Sequence, residues 1–394
     1  MRVYKDHSVV NPIGINKYRA TFYYTEFGNN KRTQWTFNAI SYEDALELAN
    51  DHLAKLKATT TLSCVLGDSN ALLSAYMTCY VDHLINSKLI DITTANNYLC
   101  CVKQIMRHMP YNITIKAVRP RNVSDMVEGH SRDGLCNETI KKSFRFLKQV
   151  MSFALDEECI NSLPFNRSTK APKTTFQEPN ALDSNACAIL LEALDAMGDT
   201  PVSLAIRIAL ATGMRREEIC GLTWQYVYLS SQEIVVENVL TLANGSVIKK
   251  GTKTPSSRRA ITIEPDLFKR LIALHEDTKA DLPVGKAISN VYVLREPKKE
   301  FLHPAYLSKH FSLLVDSLGI VGVTGKKPRF HDLRHTFATH LISNGVDIKT
   351  VASLLGHANP AITLRIYAAQ DPRARIRATK TIAEIMAIRP NKCN

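Results

Sequence analysis

The chain has 394 residues, 45% of them hydrophobic, and its 50 Lys and Arg against 37 Asp and Glu leave a net charge of +13. That length exceeds one typical domain and that apolar fraction supports packed cores, which excludes a disordered chain. The charge points to a polyanionic partner, nucleic acid before an anionic membrane, with a merely basic soluble protein as the alternative, and no apolar run reaches the roughly 20 residues of a spanning helix.

The nine cysteines form no Cys-x-x-Cys pair and lie mostly among apolar residues. They read as thiols in a reducing compartment, not as a disulfide framework or a zinc site. Lys5, Asp6 and His7 follow Met1 too closely for the apolar core of a signal peptide. A cytoplasmic protein without a membrane partner is expected.

Residues 17–26 alternate as a strand, Gly28-Asn29-Asn30 supplies turn chemistry, and Arg32–Ala39 reads as the returning strand. Ser41 can cap a following helix, with Glu43 and Asp44 in its first turn and Ala45, Leu46, Leu48, Ala49, Leu53 and Leu56 at helical spacing. This predicts a small hairpin-plus-helix module over 1–60. Lys17, Arg19, Lys31 and Arg32, with Trp35, make its sheet a candidate DNA-binding face; a solvated edge explains the same residues equally well.

Helices are predicted over 69–88, 92–109, 122–130 and 137–159, giving an all-helical domain over 65–165. In the last of them Ile140, Phe144, Leu147, Val150, Met151 and Ala154 form an apolar stripe. Lys141, Lys142, Arg145 and Lys148 occupy the remaining surface without interleaved acids, which favours phosphate contacts over a merely solvated face. A proline-rich, basic stretch over 164–182 reads as a linker, with its body at 166–182.

From 183 to 394 the pattern is mixed. Asp183 or Ser184 caps a helix to Met197, and a second helix runs from Pro201 to Thr212. Strands follow at Glu233–Leu242, Ser246–Lys253 and Arg258–Ile263, with a turn at Asn244-Gly245, and helices resume from Pro265. The expected fold class is multidomain and mainly α: an N-terminal β-sheet plus helix module, an all-helical domain, and a mixed α+β C-terminal domain.

Chemistry concentrates in this last domain. Arg215 follows Gly213, and Glu218 lies three residues on, where it can orient or cap. With Arg334 it makes a pair of guanidinium forks flanking the β section, able to hold both non-bridging oxygens of one phosphodiester. Lys253 sits on a predicted turn from which it can protonate a departing 5′-oxygen; Lys249 and Lys250 compete for that role. His331 and His335 have the i, i+4 spacing of zinc ligands but no accompanying glutamate or third ligand, so no metal is expected. His331, one turn before Arg334, can bond the same phosphate. Gly319, Gly322 and Gly325 ahead of Lys326-Lys327 lack Walker spacing and read as a flexible basic loop. Tyr367 carries a phenol of pKa ~10, a poor nucleophile at neutral pH unless cations stabilise the developing charge; packing is the ordinary fate of a tyrosine.

The series Thr-Gly-Met-Arg215, Lys253-Thr-Pro-Ser-Ser-Arg-Arg, His331-Asp-Leu-Arg334-His, Leu-Gly-His357 and Tyr367 resembles, in order and spacing, the tyrosine recombinase (phage integrase) family. The resemblance is strong over about 180–390 and fair over 65–165. Over 1–60 it is weaker, to the arm-site domain of integrases from phages and conjugative transposons. It implies that Arg215 and Arg334 bind the scissile phosphate, Lys253 protonates the leaving oxygen, His331 assists proton transfer, His357 bonds the phosphate and Tyr367 attacks it, with Glu218 supporting Arg215. It further implies no cofactor and a 3′-phosphotyrosyl intermediate. Implied partners are double-stranded DNA at core and arm-type sites, a homotetramer on that DNA, and an excisionase and a DNA-bending host protein. A segment with Ile376, Ile382, Ile385, Met386 and Ile388 is expected to pack on a neighbouring protomer or on its own domain. Pro255 and Ala368-Ala369 depart from the family's usual residues. A type IB topoisomerase and a non-catalytic DNA-binding regulator are the rival readings; the complete motif set argues against the regulator and the arm-like module against the topoisomerase. Binding to duplex DNA, measured by anisotropy over a salt series, should weaken with a log–log slope of about −0.9 per neutralised phosphate.

Overall fold

A computed structural model describes residues 65–167, 169–243, 246–251, 258–357 and 359–367, the strand residues 2–3, 9–14, 17–25 and 32–39, and residues 41, 44, 379, 382 and 383. The chain divides into two compact units, Met1–Thr175 and Phe176–Asn394. Among the described residues no helix is long and apolar enough to cross a membrane.

The first unit begins with an antiparallel sheet of β1 (Arg2–Val3), β2 (Val9–Gly14), β3 (Lys17–Thr25) and β4 (Arg32–Ala39). β3 is central: β2 pairs with its first half and β1 with its end, whereas β4 runs along its full length on the other edge, Tyr18 opposite Ala39 and Thr25 opposite Arg32. The two expected strands are there; β1 and β2 are additional. β2 carries Pro12 and Gly14, which weaken a strand pattern and confine it to an edge, and its register slips between those residues. Ser41 Oγ accepts the Asp44 amide at 3.0 Å, as an N-cap does. The turn at 28–30, Lys31 and the remainder of the expected helix lie outside the described residues.

Four helices follow: α1 (Leu73–Asn86), α2 (Ile92–Arg107), α3 (Pro120–Arg132) and α4 (Asn137–Asp156). Asp91 caps α2 by accepting the Thr94 amide at 2.8 Å, and Pro120 opens α3, where a missing N–H costs nothing. All six residues of the apolar stripe on α4 are buried, and Phe144, Leu147, Val150, Met151 and Ala154 join a core that includes Tyr76, Met77, Ile105 and Met126. Lys142, Arg145 and Lys148 are exposed on the same helix. Lys141 is half-buried and donates to Thr174 Oγ1 at 3.3 Å, and Asn137 donates to the Lys173 carbonyl at 2.8 Å. Residues 173 and 174 therefore lie against the first turns of α4.

In the second unit α5 (Ser184–Met197) is capped by Asp183, whose carboxylate accepts the Ala186 amide at 2.8 Å. α6 (Pro201–Thr212) is capped by Thr200 and is buried along nearly its whole length. After the short α7 (Arg216–Cys220) come β5 (Val227–Tyr228), β6 (Glu233–Val236), β7 (Asn238–Ala243), β8 (Ser246–Gly251) and β9 (Arg259–Thr262). The single strand expected over 233–242 is two. β6 joins β5 and β9 in one sheet and β7 pairs with β8 in another, the break falling at Glu237, which pairs with Arg258 at 2.7 Å. The register sets Ala243 opposite Ser246, while Asn244-Gly245 lies outside the described residues.

Helices α8 (Pro265–Ala280), α9 (Pro304–Leu318), α10 (Asp332–Ser343), α11 (Ile348–Leu355) and α12 (Pro360–Tyr367) complete the unit. α10 packs along α6. The basic loop before α10 is tied down. Asn180 Oδ1 accepts the Thr324 amide at 3.1 Å, its amide donates to the Lys326 carbonyl at 2.8 Å, and the Val323 amide donates to Ala181 at 2.8 Å. A Cβ on Gly322 would lie 2.4 Å from Asn180 Oδ1, so this side chain closes on the loop only because the glycine leaves room. The free loop read from its glycines is therefore a tethered one.

Gly213 ends α6 with a left-handed φ of 63°, and a Cβ there would meet Phe337 of α10 at 2.4 Å and Leu355 of α11 at 3.0 Å. Both the backbone conformation and the close approach require glycine. Gly213→Ala should destabilise the second unit by about 2–4 kcal/mol, combining left-handed strain with overpacking, as a lowered denaturation midpoint.

Candidate active site

The left-handed turn at Gly213 stops α6 and starts α7 within three residues, leaving Arg215 as the N-cap of α7. Glu218, in the first turn of α7, turns back on it. Its carboxylate accepts the Arg215 backbone amide at 2.8 Å and Arg215 Nη1 at 2.7 Å. The same carboxylate accepts two bonds from Arg259 on β9, at 2.8 and 3.3 Å. Glu218 and the Arg259 side chain are buried, at 2% and 5% exposure, whereas the Arg215 side chain keeps 34%. Burial pushes the Glu218 carboxyl up, but the Arg259 hydrogen bonds and charge, then Arg215, outweigh it and hold the group below its usual range. One buried anion is thus shared by an inner guanidinium and an outer one that reaches the surface.

Arg334, on the first turn of α10 and buried, spans two neighbouring elements. Its Nη1 donates to the Gly213 carbonyl at 2.8 Å and its Nη2 to the Leu355 carbonyl at 2.6 Å. Those carbonyls stand two residues before Arg215 and two before His357, so Arg334 fastens both stretches. Arg259 Nε adds a bond to Leu354 at 2.5 Å. His357 follows the left-handed Gly356 that ends α11, and its Nδ1 shares a 2.8 Å hydrogen bond with the fully buried Thr363 hydroxyl on α12. Burial first, then the charges of Arg334, Arg215 and Arg259, lowers the His357 pKa to about 4.

His331 precedes α10, whose start is set by Asp332 accepting the Arg329 amide at 2.7 Å. His331 is open to solvent on one side, yet enough protein surrounds the ring that desolvation, then Arg334, lowers its pKa; Arg215 adds to this. The His335 ring stands edge-on to it at 5.1 Å, and burial and His331 push His335 down to about 4. All three imidazoles are therefore shifted towards the neutral form, close to the Arg334 charge. Among the described residues no three His, Cys, Asp or Glu side chains form a metal-binding group. His340 bonds the Leu182 carbonyl at 2.9 Å, a packing role.

The structure thus gathers Arg215, Glu218, His331, Arg334 and His357. Tyr367 is the last residue of α12, and Lys253 lies outside the described residues between β8 and β9. Lys17 and Arg19 lie on β3 and Arg32 on β4, and Lys31 is outside the described residues. Arg259 and Thr363 were not expected. The alternation of β9, with Arg259 and Ile261 buried and Ala260 and Thr262 exposed, is the signal that separates Arg259 from its exposed neighbour Arg258. Nothing in the chain order ties Thr363 to a histidine six residues earlier.

Residues 180–373 match the phage integrase family. A tyrosine recombinase XerC-like protein of Caldanaerobacter subterraneus subsp. tengcongensis is 23% identical over 291 residues, 70% of this chain and 73% of that protein. The fold is similar to that of a Tn1549 transposon integrase in complex with a circular intermediate DNA, with a TM-score of 0.65 and 20% identity over 79% of this chain and 99% of that one. It is also similar to a lambda integrase tetramer bound to a Holliday junction, with a TM-score of 0.59 and 18% identity over 91% and 94%.

His335 and His357 take up protons only near pH 4 when folded, against 6.5 as the ordinary value. Between those values the unfolded chain binds more protons, so stability rises with pH there and is lost as pH falls. Denaturant midpoints measured from pH 7 to 4 should show this slope, and His335→Gln with His357→Gln should flatten it.

Proposed function

Because this chain belongs to the phage integrase family of tyrosine recombinases and is a site-specific DNA recombinase, we propose that Arg215, Lys253, His331, Arg334, His357 and Tyr367 carry out its strand exchange, with Glu218 in support. The observation that carries this reading is the pair of Arg334 bonds to Gly213 and Leu355, which draws Arg215 and His357 to one place.

The guanidinium groups of Arg215 and Arg334 take the non-bridging oxygens of the scissile phosphate, and their charge offsets the charge that grows on them in the transition state. His357 with Nδ1 accepting the Thr363 hydroxyl presents Nε2–H as a further donor, and its lowered pKa keeps it a neutral one. His331, likewise lowered, is an acceptor for the phenolic proton of Tyr367. The Tyr367 oxygen then forms a bond to phosphorus while the bond to the 5′-oxygen breaks, and Lys253 gives that oxygen its proton. The 3′-phosphotyrosyl link conserves the phosphodiester, so a 5′-hydroxyl from a second duplex can reverse the step without an external energy source or a cofactor.

Division into an arm-type module at 1–60, a helical core-binding domain at 65–165, a linker at 166–182 and a catalytic domain at 183–394 belongs to the same proposal. Exposed Lys142, Arg145 and Lys148 on α4 support a phosphate-contacting role for the helical domain, with Lys141 beside them; Lys17, Arg19, Lys31 and Arg32 would serve the arm module. The likeness to the DNA-bound transposon integrase and to the tetramer on a Holliday junction supports integration and excision of a mobile element by four protomers, in the cytoplasm. An excisionase and a DNA-bending host protein are the accessory partners such a reaction would take.

Tyr367→Phe should abolish the covalent protein–DNA adduct on a pool of nicked duplexes of randomised sequence, read on a denaturing gel, while leaving DNA affinity within about threefold of wild type. An adduct that survived the change would refute the nucleophile.

A further inference from the structure

We propose that Arg259 is a positioning residue for strand cleavage, acting through the Glu218 carboxylate to set the Arg215 guanidinium. The inference rests on the proposed function and deepens it. Arg259 is too buried to meet DNA, with 5% of its side chain exposed. Its distal nitrogens both face Glu218, at 2.8 and 3.3 Å, and Glu218 in turn holds Arg215 by its backbone amide and by Nη1.

Two consequences follow from removing the inner guanidinium. A buried carboxylate left with Arg215 alone draws that side chain inward to neutralise it, because an unpaired buried charge costs more than a displaced surface one. The phosphate would then lose the guanidinium that reaches the surface. Arg259 with its own charge leaves Arg215 with one nitrogen on Glu218 and the rest of its fork for substrate.

Arg259 has a second bond, from Nε to the Leu354 carbonyl at the end of α11. If support of α11 were its whole contribution, its loss would add to the loss of Glu218. If it works through Glu218, the two losses would not add, since without the carboxylate there is nothing for Arg259 to neutralise.

The test uses the full chain and the same randomised nicked duplexes, measuring single-turnover adduct formation, affinity and thermal melting. Arg259→Met should slow adduct formation by about a hundredfold, the scale of a misplaced binding group, with affinity changed less than about threefold. Arg259→Lys, which restores a charge beside Glu218, should recover at least roughly tenfold of that loss. The E218Q and E218Q/R259M proteins should cleave at the same rate. Should R259M fail to fold, R259Q replaces it, keeping a donor without the charge, with the same rates expected. The inference is overturned if the neutral variant cleaves within about twofold of wild type, if lysine recovers nothing, or if the two changes add. A wild-type chain that forms no adduct takes down both this inference and the proposed function; a wild-type adduct with any of those three outcomes takes down this inference alone.

Discussion

One buried carboxylate organises the second unit's chemistry. Glu218 at 2% exposure would be intolerable alone, and the chain neutralises it from two directions, with Arg259 from β9 and Arg215 from its own helix start. That requirement brings a strand and a helix terminus together that are about forty residues apart in sequence. Arg334 then extends the construction to α11 through two backbone carbonyls. Several of the site's cations are thereby held from behind, on rigid elements, before any anion arrives.

Preorganisation of this kind has a thermodynamic reason. Guanidinium groups fixed by protein acceptors need not reorganise when charge develops on a phosphate, so the stabilisation is available in the transition state. The lowered histidines fit the same logic: burial first, and then neighbouring positive charge, disfavours a further proton on each ring.

Much of this was legible in the chain. The stripe on α4, the caps at Ser41 and Asp183, and the strand pairing of β3 with β4 follow from local periodicity and turn chemistry, and all are where the pattern puts them. The order of Arg215, His331, Arg334 and His357 pointed to a candidate site because their types and spacing are unusual together, and the structure brings these residues near one another. The break at Glu237 was not legible, since a strand that changes partners keeps the same apolar alternation on both sides. Nor was the tether of the basic loop, because Asn180 and Thr324 meet across 144 residues and neither has a distinctive neighbourhood. Arg259 stood between these cases: its burial is a matter of parity along β9, but its partner is a matter of tertiary structure.

The Asn180 tether has a mechanical meaning. Residues 180–182, just ahead of α5, are hydrogen-bonded side by side to the 322–326 loop and to Thr336 and His340 on α10. A force carried along the linker would load these bonds in shear, several at once, and would be delivered to the loop just ahead of His331 and to the helix that carries Arg334. Tension at residues 180–182 therefore has a short path to Arg334 and to the loop before His331, through the Asn180 bonds that Gly322 leaves room for and through the Leu182 bonds to α10.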